Sequence, residues 1–107
     1  MPTIRIDYDN GKLKEGDILA LSNVAQRIVS DITGIEDTFV YANSAHIKVK
    51  VAPIEVYVQL SAHKIKDVDE LFGKIRERLS DWKKETGFGF PINLTLMPMQ
   101  WKFEIDI

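Results

Sequence analysis

The chain repeats one pattern of secondary structure twice, and this duplication limits the folds open to it. Each half begins with a proline, Pro2 or Pro53, that leads into an alternating strand, then a helix and a further strand. Parallel strands need a crossover helix, so each half predicts a βαβ unit. We therefore expect one α+β domain over residues 1–107, made of repeat units at about 1–51 and 52–107.

Residue periodicity predicts the elements of the first half. Residues 3–8 alternate apolar and polar side chains, as a strand with one buried face does. An apolar stripe at helical spacing then runs from Asp17, the expected N-cap, to Gly34, the expected stop. Residues 38–51 are predicted to be extended, with a break at Asn43-Ser44.

The second half repeats the order of elements. A strand is predicted over residues 54–60. Asp67 and Glu70 resemble a capping box that opens a helix, and Gly87 ends it. A last strand is predicted over residues 92–96, and the tail behind it could add a short edge strand.

Together these elements predict a duplicated βαβ (βαββαβ) two-layer sandwich, in which two helices cover one face of a four-stranded mixed sheet. The other face would be polar. It is either solvated or the inner surface formed when several subunits arrange their sheets around an axis. Its expected residues are Thr3, Arg5, Asp7, Glu55, Tyr57, Gln59, Asn93 and Thr95.

Composition excludes several classes of function. The net charge is −2, which is too small for electrostatic capture of nucleic acid. There is no cysteine, so disulfides and zinc–thiolate sites are excluded. No signal peptide and no membrane-spanning apolar run is recognised, and we expect a cytoplasmic protein with no membrane partner. The histidines lack metal-ligand spacing and no phosphate-binding glycine loop is found, so no metal and no cofactor is expected.

Four short motifs, in this order and spacing, resemble the tautomerase superfamily. They are the MP-x-[LI]-R opening at Met1 to Arg5, the TG-x-x-[ED] helix exit at Thr33, Gly34 and Asp37, the P-x-[VI]-EV-type third strand near Pro53 to Val56, and the strand-then-proline ending at Leu94 to Pro98. The length is similar to the fused-repeat branch, which includes macrophage migration inhibitory factor and 5-carboxymethyl-2-hydroxymuconate isomerase. The chain resembles most an uncharacterised bacterial family of this superfamily.

The resemblance implies a homotrimer, with the polar sheet faces around a central channel. It also implies that Met1 is removed and that Pro2 becomes a terminal secondary amine acting as general acid and base. A terminal amine titrates near neutral pH, and burial or a neighbouring cation lowers its pKa. Such a base suits keto–enol proton transfer on a small keto or enol acid.

Further site residues follow from the same resemblance. Asn93 matches a pocket asparagine that could donate to a substrate oxygen, and Phe39 matches an aromatic pocket wall. Ser61 lies where the pocket backbone of a relative lies, and Trp101 is expected to cap the pocket or to pack at the trimer interface. Arg5 is a candidate cation for a substrate carboxylate.

The sequence departs from the family where a cation is usual. Ile35 follows the helix-ending glycine in place of lysine, and residues 60–64 carry no arginine. His63 and Lys64 are the other candidate cations. Two further interpretations therefore stay open: a non-catalytic trimeric scaffold or ligand-binding module, and a ferredoxin-like regulatory ligand-binding domain, which shares the βαββαβ order but pairs its strands differently.

Overall fold

The computed structural model describes residues 2–107, which form a four-stranded sheet with two helices on one face. Along the chain the elements are β1 (Thr3–Tyr8), α1 (Glu15–Thr33), β2 (Phe39–Asn43), β3 (Ile54–Ser61), a 3-10 turn (Ala62–Lys64), α2 (Val68–Thr86) and β4 (Asn93–Met99). The predicted βαββαβ order is therefore confirmed.

The strand order distinguishes between the two fold families that share this sequence of elements. The sheet order is β2-β1-β3-β4, with β1 parallel to β2, β3 parallel to β4, and β1 antiparallel to β3. A split βαβ unit would insert another strand between β1 and β2. The ferredoxin-like interpretation is therefore wrong, because each strand of this chain pairs directly with the strand that its own helix connects.

The core lies between the sheet and the helices. Alternate residues of β1 and β3 point toward the helices and are buried, as a strand with one covered face requires. They pack against the apolar stripes of α1 and α2. The buried side chains include Ile4, Ile6, Leu21, Ile28, Val56, Val58, Ile75 and Leu79.

The other sheet face is polar and open in the single chain, as the alternation predicts. The guanidinium of Arg5 lies 4.8 Å from the centre of the Tyr57 ring, a cation–π distance. Its Nε is 3.5 Å from the Asp7 carboxylate. These contacts hold Arg5 in the middle of the exposed face.

The first helix begins earlier than predicted. Lys14 is its N-cap, and Asp17 lies in the first turn, where its carboxylate accepts the Lys14 backbone N–H at 3.3 Å. The prediction placed Asp17 outside the helix because an acidic residue suits both the cap and the first turn. Gly34 ends the helix as predicted, with φ at 73° and its N–H donated to the Ser30 carbonyl.

The second helix has the predicted ends. The Asp67 carboxylate accepts the Glu70 backbone N–H at 3.1 Å, and Gly87 closes the helix at φ 70°. Within residues 2–107, neither helix is long and apolar enough to cross a membrane.

Residues 46–51, predicted to be extended strand, are not a strand. The chain leaves β2 at Asn43 and reaches β3 at Ile54 through bends. Lys48 is held in this connection by Asp9 at 3.2 Å. The Gly11 backbone N–H and the Lys48 ammonium keep the pKa of Asp9 below its ordinary value. The alternation was misleading because, among residues 2–107, this segment pairs with no strand.

The tail also differs from its expectation. Strand β4 continues to Met99, beyond the predicted end at Leu96, because it pairs with β3 over seven residues. Residues 100–107 add no edge strand. Instead, Trp101 turns toward the end of β3 and bonds to Ser61.

Candidate active site

The first residue of the described chain lies at one end of the sheet. The Pro2 carbonyl accepts the Phe39 backbone N–H at 3.2 Å, and Thr3 pairs with Phe39 on one side and Gln59 on the other. Pro2 directly precedes Thr3 and therefore lies beside the end of β3, next to Leu60. Its side chain is buried. We call this end of the sheet, formed by Pro2, Phe39, Ser61 and Trp101, the Pro2 end.

A hydrogen bond fixes the tail at the Pro2 end. The indole Nε1 of Trp101 donates to Ser61 Oγ at 2.6 Å. Ser61 is on the polar face of β3, yet it is buried. The tail therefore covers this corner of the otherwise open face.

A cavity of about 410 Å³ opens on the helix side of the sheet near the same end. Leu60 lines it, and the Thr3–Gln59 pairing places Leu60 beside Pro2. The other lining residues are Ile32, Thr33, Ile35, Lys64, Ile65, Lys66, Asp67, Glu70, Leu71 and Lys74. The cavity thus lies between the end of α1, the end of β3 and the start of α2.

The cavity wall carries uncommitted positive charge. Lys74 is paired with Glu70 at 3.0 Å. Among residues 2–107, Lys64 and Lys66 take part in no ion pair. Asp67 also lines the cavity without an ion pair, so the lining carries one net positive charge, which favours an anionic ligand.

Two of the predicted site residues lie elsewhere in the chain. Asn93 is opposite Glu55, at the far end of β3, and its amide Nδ2 donates to the Glu55 carboxylate at 2.9 Å. Five residues of strand separate this point from Leu60, which is about 17 Å. Arg5 shares the open face with Ser61 but lies three residues along β1 from Pro2, whereas the cavity lies on the helix face with the buried Pro2 side chain.

Four of the six predicted site residues therefore lie at one end of the sheet, and Asn93 and Arg5 lie away from it. None of the six is among the residues that line the cavity. Lys64 lines the cavity, whereas His63 does not. Sequence reasoning missed Lys66, since a lysine in a connecting segment carries no pattern of its own. Met1, whose removal the predicted chemistry requires, lies outside the described residues.

This end of the sheet brings together the buried side chain of Pro2, a cavity of about 410 Å³ and two lysines of the cavity wall. The side chains of residues 2–107 form no group of three histidine or acidic residues that could hold a metal ion.

No protein-family model matches the sequence, and no curated protein matches it. Solved structures do match over almost the whole chain. A malonate semialdehyde decarboxylase, described with its proline-to-alanine mutant and its decarboxylase and hydratase activities, has 14% identity and a TM-score of 0.64, covering 95% of this chain and 90% of that chain.

Two further solved structures are similar to the same extent. A macrophage migration inhibitory factor-like protein from Entamoeba histolytica has 13% identity and a TM-score of 0.64, covering 96% of this chain and 95% of that one. A wild-type fused 4-OT, an asymmetric trimer, has 13% identity and a TM-score of 0.65, covering 91% and 85%. The chain has the tautomerase fold, the fold of the superfamily that its sequence motifs resemble.

Proposed function

We propose that the protein catalyses keto–enol proton transfer on a small keto acid, with Pro2 as general acid and base after Met1 is removed. The observation that carries this proposal is the position of Pro2, a buried residue at a strand end whose neighbour on β3, Leu60, lines a cavity that also bears Lys64 and Lys66. A free terminal proline has a nitrogen lone pair that an internal proline lacks.

Burial supports the role of a base. An amine that is removed from water holds its proton less tightly, and neighbouring cations act in the same direction. We therefore expect the pKa of a free Pro2 amine to lie below that of an ordinary terminal amine. A base poised near the working pH transfers protons most effectively.

The cavity supports an acid as substrate. Lys64 and Lys66 line the cavity and take part in no ion pair among residues 2–107, so they are free to bind a carboxylate. Lys64 lies in residues 60–64, where relatives often carry arginine, and Ile35, which replaces the family's lysine, lines the same cavity. An ammonium group near the reacting carbonyl would also stabilise the enolate oxygen. We assign carboxylate binding to this pair before Arg5, since Arg5 is committed to Tyr57 and Asp7 on the open face.

We further propose a homotrimer. A fused 4-OT similar in fold is a trimer. Within one chain Asn93 is about 17 Å of strand away from the Pro2 end. In a ring of subunits, however, the Asn93 end of one copy can meet the Pro2 end of the next.

The expected location in the cytoplasm stays a prediction from the sequence.

The test is an enol ketonisation assay on protein whose intact mass shows that Met1 is absent. We expect the wild type to ketonise phenylpyruvate enol faster than buffer. Pro2→Ala should lower the rate at least about tenfold, since general acid–base catalysis contributes about 10²–10⁴. Pro53→Ala is the matched control, because Pro53 begins the other repeat and has no free nitrogen.

An unchanged rate in Pro2→Ala, with the wild type active, would contradict the catalytic role of the proline nitrogen.

A second candidate function is a non-catalytic trimeric scaffold or ligand-binding module. It is favoured by the complete burial of the Pro2 side chain and by Ile35 in the cavity wall. A trimer that lacks Met1 and shows no activity above buffer would support it.

A further inference from the structure

A second cavity, of about 200 Å³, lies between α2 and the edge strand β4. It is lined by Arg76, Leu79, Ser80, Lys83, Ile92 and Leu94. The cavity near Pro2 lies between the end of α1, the end of β3 and the start of α2. Within the described part of the chain the two cavities share no lining residue, so they are separate sites. We call the second one the α2–β4 cleft.

Helical spacing brings three polar side chains of α2 to this cleft. Arg76, Ser80 and Lys83 follow one another at spacings of four and three residues, which places them on one face of the helix. Arg78 lies on another side of α2, where it pairs with Asp31 of α1 at 3.3 Å. The face of α2 beside β4 therefore carries a guanidinium, a hydroxyl and an ammonium group.

Both cations of the cleft lack an acidic partner. Among residues 2–107, neither Arg76 nor Lys83 takes part in an ion pair. Neither has an acidic residue three or four positions away in the sequence, whereas every other lysine or arginine of α2 has one. The described residues that line the cleft include no acid, so the lining carries two net positive charges. A cleft with this charge favours an anionic ligand.

The kinds of donor indicate which anion fits. The guanidinium of Arg76 is a planar fork that can bind two oxygens of one anion. The ammonium and hydroxyl groups add donors at other positions along the helix, which suits an anion with more than two oxygens. Leu79 is buried and Ile92 and Leu94 are half-buried, so the floor of the cleft is apolar. A phosphoryl group on a small apolar stem matches both parts of the lining.

We propose that the α2–β4 cleft binds the phosphoryl group of a small molecule. Arg76 and Lys83 neutralise its charge, and the hydroxyl of Ser80 donates a further hydrogen bond. The dipole of α2 does not help, because the last turn of a helix repels anions, and the side chains therefore supply the affinity. The proposal goes beyond the enol ketonisation proposed above and does not depend on the removal of Met1.

Titration of the full-length protein at constant ionic strength tests the site. The probes are inorganic phosphate and phenyl phosphate, and binding is followed by the NMR shifts of the backbone amides. Both probes should give saturating shifts at residues 76–83. Tighter binding of phenyl phosphate would assign the cleft to phosphate esters, and equal binding would assign it to free phosphate. Benzoate carries one charge and two oxygens, so it should bind at least about tenfold more weakly than phenyl phosphate.

Variants of α2 separate the cleft from the general charge of the helix. Arg76→Gln and Lys83→Gln should each raise the dissociation constant of phenyl phosphate at least about tenfold, because each removes a charge-assisted hydrogen bond. Lys84→Gln is the matched control. It removes the same charge from an exposed position next to Lys83 but outside the cleft, so the dissociation constant should change less than about twofold.

Four results would overturn the proposal. They are the absence of saturating shifts at residues 76–83, unchanged binding in Arg76→Gln, an equal loss of binding in Lys84→Gln, and benzoate binding as tight as that of phenyl phosphate. Shifts confined to residues 60–67 would also overturn it, because the anion would then lie near Pro2. A protein that binds phosphate in the expected way but shows no ketonisation supports the cleft and counts against the proposed activity alone.

Discussion

Pro2 and Pro53 occupy matching places in the two repeats, and each carbonyl accepts a backbone N–H, although from different kinds of neighbouring strand. The Pro2 carbonyl accepts the Phe39 N–H, and the Pro53 carbonyl accepts the Asp9 N–H at 3.0 Å. Each proline begins a strand where no ladder donor is needed, so each has a structural role. Only Pro2 can gain a further role, because loss of Met1 would free its nitrogen.

Trp101 and Ser61 are a second informative residue pair. Trp101→Phe removes the indole N–H donor, and Ser61→Ala removes the acceptor, so each should lower the free energy of unfolding by about 1 kcal/mol. In a double-mutant cycle, measured by urea denaturation, the coupling between the two changes should reach about 0.5–1.5 kcal/mol. Additive effects would mean that the hydrogen bond does not hold the tail in solution.

At the scale of the element, both long helices end at a glycine in the left-handed region. Gly34 has φ at 73° and Gly87 at 70°, conformations that cost other residues energy because of their Cβ. The α2 start is equally local, since Asp67 caps the helix with its own side chain. These ends were predictable because each depends on residues within one helical turn.

Two glycines of α2 should respond in opposite ways to alanine. Gly73 lies inside the helix with open space around an added Cβ, so Gly73→Ala should raise the free energy of unfolding by about 0.5–1 kcal/mol. Gly87→Ala should lower it by about 1 kcal/mol, since alanine disfavours positive φ. Thermal unfolding of both variants measures the difference. A stabilising Gly87→Ala would contradict the left-handed end of the helix.

For the molecule as a whole, the topology divides the predicted site residues between two ends of one sheet. Pro2, Phe39, Ser61 and Trp101 meet at one end, and Asn93 lies at the other. The sequence pattern does not predict the distance between Asn93 and Pro2, because that distance depends on which strands become neighbours in the sheet. If all these residues serve one reaction, the site is completed by a second copy.

Subunit mixing checks this arrangement. Pro2→Ala and Asn93→Ala should each have low ketonisation activity. Refolded together in equal amounts, they should form rings in which about a quarter of the sites combine an intact Pro2 with an intact Asn93 of the neighbour. The mixture should therefore be more active than the average of the two variants refolded separately. A mixture that equals this average would show that Asn93 does not act across a subunit boundary.

The sequence predicted the fold well and the site in part, for a physical reason. The alternation of β1 and β3 and the stripes of α1 and α2 report which side of each element is buried, so the layered sandwich followed from them. The same signal failed at residues 46–51 and in the tail, where alternation is present but the described residues form no strand. Periodicity indicates which side chains prefer to be buried, but it does not indicate which strand or helix they pack against.

The sequence by itself determined the two helices and the four strands of the sheet, the cap of α2, the glycine ends of both helices, the duplicated βαβ order and the polar and apolar faces, because these depend on contacts within a turn or on local periodicity. Only the tertiary structure decided that β1 lies between β2 and β3, that Lys64 and Lys66 share a cavity wall near Pro2, and that Asn93 lies at the far end. These are contacts between distant parts of the chain, and packing of the whole core selects them.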